Sequence, residues 1–168
     1  FIRDIRKIIT KLPKEKQTLL FSATMPKDIA SLATSLLKNP TRVEVTPQAS
    51  TVEKIDQKVN FVEKSNKSLL LKSILKDESI KSMLVFSRTK HGADRIVKHL
   101  EKANVTAAAI HGNKSQNNRE KALNSFRDQK IRVLVATDIA ARGIDVAHVS
   151  HVVNFDLPKF AEDYVHRI

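Results

Sequence analysis

Met83-Leu84-Val85-Phe86-Ser87-Arg88-Thr89-Lys90-His91-Gly92-Ala93-Asp94-Arg95-Ile96-Val97-Lys98-His99-Leu100 reads as one strand, one turn and one helix. The apolar run 83–86 is continuous rather than alternating, as in a strand covered on both faces. The helix, His91 to Asn104, keeps Ala93, Ile96, Val97 and Leu100 on one side. The same unit recurs downstream. Ala107–Ile110 reads as a strand, and Ser115–Asp128 as a helix with Ala122, Leu123 and Phe126 inward. Val133–Ala136 and Val149–Val153 read as strands, and Ala161 opens a last helix. Upstream, Ile55, Gln57, Val59 and Phe61 alternate like a strand, and Leu69–Leu75 reads as a helix. Such regular alternation predicts an α/β fold: a mainly parallel sheet with helices on both faces, in three layers.

In a sheet of this kind ligands bind outside the carboxyl ends of the strands. Those ends are Ser87-Arg88-Thr89-Lys90, His111-Gly112-Asn113-Lys114, Thr137-Asp138 through Asp145, and Asn154-Phe155-Asp156. Hydroxyls, glycine N–H groups and arginines suit phosphates, and aspartate suits a sugar hydroxyl.

The N-terminal part is organised differently. Ile2, Ile5, Ile8, Ile9 and Leu12 form a helical stripe that ends at Pro13. Gln17–Phe21 reads as a short buried strand, residues 27–37 as a helix after Pro26, and Arg42–Val45 as another strand. Residues 47–54 are polar, proline-containing and aperiodic, as expected of a linker. The expected division is therefore 1–46, 47–54 and 55–168.

Composition narrows the function. The chain has 168 residues with Lys+Arg 30 against Asp+Glu 18, a formal charge of +12, which points to a polyanionic partner. Cysteine is absent, which removes disulfides, thiolate metal sites and thiol nucleophiles. The three glycines, Gly92, Gly112 and Gly143, are too scattered for a Walker A loop or a dinucleotide fingerprint. No apolar run approaches the roughly 18 residues of a membrane span. His148 and His151 point to opposite faces of a strand, so no metal site is expected there.

Five stretches carry a resemblance. They are Phe21-Ser22-Ala23-Thr24, Val85-Phe86-Ser87-Arg88-Thr89, His111-Gly112 with Gln116, Arg119 and Phe126, the run Ala136 to Asp145, and Tyr164-Val165-His166-Arg167-Ile168. In order and spacing they resemble the SAT motif, motifs IV, IVa and V, and the beginning of motif VI of DEAD-box RNA helicases. The resemblance covers the whole chain. It implies a RecA-like second domain over 55–168, incomplete within motif VI, preceded by the tail of the first RecA-like domain. Walker A, the DEAD box and the arginine fingers would then lie outside this chain.

The resemblance also assigns roles. Arg88, Thr89, Gly112, Gln116, Arg119, Thr137 and Gly143 would touch RNA. Asp145 and Arg142 would serve the ATP site, with Asp145 at the ribose hydroxyls. Ser22, Thr24, His166 and Arg167 would couple the two domains, the last two at a chain terminus prone to fraying. No residue here is expected to be catalytic, and the chain alone is expected to be inactive. ATP and Mg²⁺ would be held mainly by the first domain, the partner in cis. Single-stranded or short duplex RNA is the expected partner, with no membrane, a cytoplasmic location and self-association through residues 1–46 as further expectations. Two other readings stay open: a non-catalytic RNA-binding scaffold of helicase descent, and a DNA or RNA translocase of the same superfamily.

Overall fold

The computed structural model describes residues 2–22, 25, 27–44, 55–141, 146 and 149–167. The expected linker 47–54 lies outside them. The chain divides into two compact units, Phe1–Pro47 and Gln48–Ile168.

The first unit holds two helices, α1 (Ile2–Ile9) and α2 (Lys27–Leu36), as the apolar periodicity predicts. The expected strands Gln17–Phe21 and Arg42–Val45 do not form a ladder among the described residues. An extended run becomes a strand only beside another strand, and among the described residues neither run has a ladder partner. Phe21 is accordingly 89% exposed.

In the second unit α3 (Lys67–Ile74) leads into β1 (Met83–Phe86). Then follow α4 (Lys90–Glu101), β2 (Ala107–Ile110), α5 (Gln116–Arg127) and β3 (Val133–Ala136). The short α6 (Asp138–Ala141), β4 (His151–Asn154) and α7 (Ala161–Val165) complete it. The expected strand Ile55–Phe61 is absent: the segment is irregular and exposed. β4 starts two residues later than expected, because its ladder with β1 begins at the pair Met83↔His151.

The four strands are all parallel, in the order β2-β3-β1-β4. Alternate residues of each strand face opposite ways. Met83, Val85, Ala109, Val133 and Val135 pack with Leu71 and Leu75 at α3 and Ala93, Ile96 and Leu100 of α4. Ile110 and Leu134 pack on the other side with Ala122 and Phe126 of α5 and Ala140 of α6. This is the predicted three-layer sandwich. β2 lies at the sheet edge, and a groove beside it is lined by Asp94, Val97 and Glu101 of α4 and by Lys114, Asn118 and Lys121.

Two helix starts have a local cause. Thr89 caps α4, its hydroxyl accepting from the Gly92 N–H at 3.0 Å. Ser115 caps α5 in the same way, accepting from the Asn118 N–H. Gly92 has a packing reason to be glycine: a Cβ there would sit 2.6 Å from Ser87 Oγ.

Candidate nucleic-acid interface

The connection after β1 carries the chain to the α4 face, whereas that after β3 carries it to the α5 and α6 face. β1 and β3 are neighbours. A crevice therefore opens at their carboxyl ends, between Ser87-Arg88-Thr89 and Thr137-Asp138, where open α/β sheets bind ligands. The Ser87 N–H donates to the Ala136 carbonyl at 2.9 Å and ties the two sides together.

The loop after β2 flanks this crevice. His111 is buried, and its Nδ1 accepts from the Asn113 N–H at 3.3 Å. That leaves Nε2 to donate to Asp94 Oδ1 at 3.0 Å, where Lys114 Nζ also binds at 3.0 Å. Burial alone would raise the Asp94 carboxyl, but the hydrogen bonds from His111 and Lys114 and the ammonium charge of Lys114 outweigh it and hold it below its ordinary value. The loop is thus pinned from beneath while Gly112 stays exposed, with open space where a Cβ would stand.

Gln116 and Arg119 lie one turn apart at the start of α5, as the sequence predicts, and Arg119 Nη1 donates to Gln116 Oε1 at 3.3 Å. Arg119 Nε is buried without a hydrogen-bond partner. Arg88 is exposed; its Nη2 donates to the Leu157 carbonyl at 3.3 Å. Thr89 is spoken for as the α4 cap. Thr137 follows β3, and its N–H donates to the Ile110 carbonyl. An open loop was expected after it, but the chain turns at once into α6. Gly143, Arg142 and Asp145 lie outside the described residues, as do Thr24 and His148. Ser22 is exposed in the first unit, and His166 is exposed.

Arg167 departs most from expectation. It is 4% exposed rather than frayed. Nε donates to Asp138 Oδ1 at 2.6 Å, and Nη1 to Asn154 Oδ1 at 2.7 Å and the Asp156 carbonyl at 2.8 Å. The guanidinium also stacks 4.7 Å from the centre of the Phe86 ring. One side chain thereby joins the ends of β1, β3 and β4.

Asp156 is a second knot that sequence reasoning missed. It accepts from the Arg88 N–H at 3.1 Å and from Lys67 Nζ at 3.2 Å, and Lys67 also donates to the Phe155 carbonyl at 2.7 Å. Burial alone would raise the Asp156 carboxyl, but the Arg88 N–H and the Lys67 ammonium prevail and hold it below its ordinary value. An aspartate two residues past a strand gives no sign of a lysine 89 positions away.

Known proteins resemble this chain in sequence and in fold. Residues 65–168 match the model of the helicase conserved C-terminal domain. The whole chain is 45% identical to RNA helicase CrhR of Synechocystis and 44% identical to DEAD-box ATP-dependent RNA helicase CshA of Bacillus licheniformis. It spans only about a third of their length, 34% in each case. A structure of S. cerevisiae Dbp5 bound to RNA and ADP BeF3 matches 98% of this chain and 44% of its own, at 28% identity and a TM-score of 0.83. A DEAD box protein from Methanococcus jannaschii matches 99% of this chain and 45% of its own, at 37% identity and a TM-score of 0.65.

Proposed function

Because this chain belongs to the family of the helicase conserved C-terminal domain, and is homologous along its length to DEAD-box RNA helicases, we propose that its second unit is the RNA-gripping half of an ATP-dependent RNA helicase. The fold is accordingly RecA-like. The observation that carries the proposal is the carboxyl edge of the sheet. Arg88 follows β1, exposed Gly112 follows β2, Thr137 follows β3, and the Gln116–Arg119 pair opens α5. A hydroxyl, an open glycine and a guanidinium are groups that hold a sugar-phosphate backbone without reading bases.

ATP would supply the driving force through phosphoryl transfer to water, chemistry that needs a metal and a phosphate cradle. Among the described residues no three His, Asp or Glu side chains converge on a metal position. No hydrolytic step is therefore assigned to them. Residues 1–46 are read as the tail of a first RecA-like domain. On this reading ATP and RNA draw the two domains shut, and the bent strand unpairs a neighbouring duplex. Thr137 and Arg119 hold the strand during closure; the family resemblance assigns Gly143 to the same RNA contact and Asp145 and Arg142 to the nucleotide.

The test is ATP turnover by the full-length protein with and without single-stranded RNA. RNA-stimulated hydrolysis is expected, and Arg119→Ala should raise the RNA needed for half-maximal stimulation about tenfold. RNA binding without hydrolysis would instead favour a scaffold. Absence of RNA binding would end the proposal.

A further inference from the structure

α4 separates its charges by sign. At about 100° per residue, His91, Arg95, Lys98 and Lys102 fall within an arc of roughly 60°. All four are exposed, and Ala93, Ile96 and Leu100 are buried on the opposite side. The two carboxylates of the helix, Asp94 and Glu101, fall outside this arc, along one edge of it at about 40° and 60° from Lys98, and line the groove beside β2. Asp94 is further committed to His111 and Lys114. Among the described residues Arg95, Lys98 and Lys102 make no ion pair.

An ordinary solvated helix face interleaves the two signs. Here Lys98 and Lys102 stand four apart with like charge, an arrangement that weakens a helix unless an anion lies across it. The stripe also has a definite origin. It begins at His91 in the first turn of α4, next to the carboxyl end of β1. Lys90 lies off the stripe and ties the helix head to the loop that flanks the crevice, donating through Nζ to Asn113 Oδ1 at 3.0 Å. From His91 the stripe runs about 16 Å along the outer face of the helix.

We propose that this outer face of α4 is a phosphate track, which carries single-stranded RNA onward from the segment held at the sheet edge. The inference rests on the RNA-gripping reading above and extends it. The contacts are to phosphates, so the track is indifferent to sequence. Its consequence is a length preference: strands long enough to reach α4 bind more tightly than strands that fill only the edge.

The experiment is equilibrium binding of the full-length protein to a short and a long fluorescent oligouridylate across a salt series. The variant combines Arg95→Gln, Lys98→Gln and Lys102→Gln, which preserve helix-forming side chains. A control combines Lys76→Gln, Lys81→Gln and Lys130→Gln, an equal loss of charge elsewhere. Each phosphate contact on a single strand contributes about 0.7 to the slope of log affinity against log salt. The track variant should therefore lose about 2 from the slope with the long strand and bind it roughly 100-fold more weakly at about 0.1 M salt. Its affinity for the short strand should match wild type, and the control should behave as wild type with both. An unchanged long-strand affinity would overturn the track. So would an equal loss with both lengths, which would indicate a diffuse field. Failure of the wild-type protein to bind either strand would instead remove the underlying RNA reading.

Discussion

The two units make opposite use of the same kind of sequence. α1 has an isoleucine stripe as regular as the apolar stripe of α4, yet α1 and α2 contain no buried residue and α4 buries Ala93, Ile96 and Leu100. No described residue of the first unit is buried, and Ile8 is 60% exposed. In the second unit Met83, Val85, Val133, Leu134, Val135 and Ala136 have no exposure at all. An apolar stripe states a demand for cover. The second unit meets that demand internally, because a parallel sheet offers two faces and the chain lays helices on each. The first unit does not meet it among its own described residues.

The largest test of this contrast is a pair of truncations read by denaturant unfolding. Phe126→Ala empties the α5 core and should cost about 3–5 kcal/mol. Ile8→Ala should stay within about 0.5 kcal/mol. Equal costs would abolish the contrast. A second pair compares ion pairs. Arg167→Ala leaves half-buried Asp138 and Asn154 without their buried partner and should cost about 1–3 kcal/mol. Arg42→Ala breaks the pair with Glu44, both side chains mostly exposed, and should leave the unfolding midpoint unmoved.

Glycine substitutions sharpen the picture within the second unit. Gly92→Ala forces a Cβ against Ser87 Oγ beneath the α4 cap and should cost about 1–3 kcal/mol. Gly112→Ala meets open space and should be neutral in thermal melts, so any loss of RNA affinity it causes reports close approach of the strand. The smallest effect concerns pH. The Asp156 carboxyl lies below its unfolded value of 3.8, so its stabilisation is full above that value and fades as pH falls through the folded one. Asp156→Asn should flatten the acid side of a melting-temperature profile and leave its neutral side sloped as before. A variant profile that falls as steeply on the acid side would relieve Asp156 of this role.

The strands β1, β2 and β3 were legible because apolar runs bounded by turn residues are what a doubly covered strand looks like. Gln17–Phe21 and Ile55–Phe61 looked as convincing, yet alternation describes a residue's two faces and says nothing of the neighbour that completes a ladder. The carboxyl-edge loops were legible through topology, and Arg119 with Gln116 through helical spacing. The roles of Arg167, Asp156 and His111 were not. Each depends on partners brought together by folding, such as Lys67 reaching Asp156 across the sheet edge. Even Thr89, read as an RNA contact, turned out to have a structural duty that its place before Lys90 already signalled.

β2 has a bearing on how the protein keeps company with itself. A sheet that ends in an open strand invites copies to join edge to edge and grow into fibres. Here the invitation is poor. The strand is four residues long and presents Ala107, Ala108 and Ala109, which offer a newcomer little apolar surface. Beside it stand Asp94, Glu101, Lys114 and Lys121, charges that an incoming strand would have to bury. The margin of the sheet thus acts as a guard against unwanted polymerisation, kept by the smallness of its side chains and by the salts along its flank.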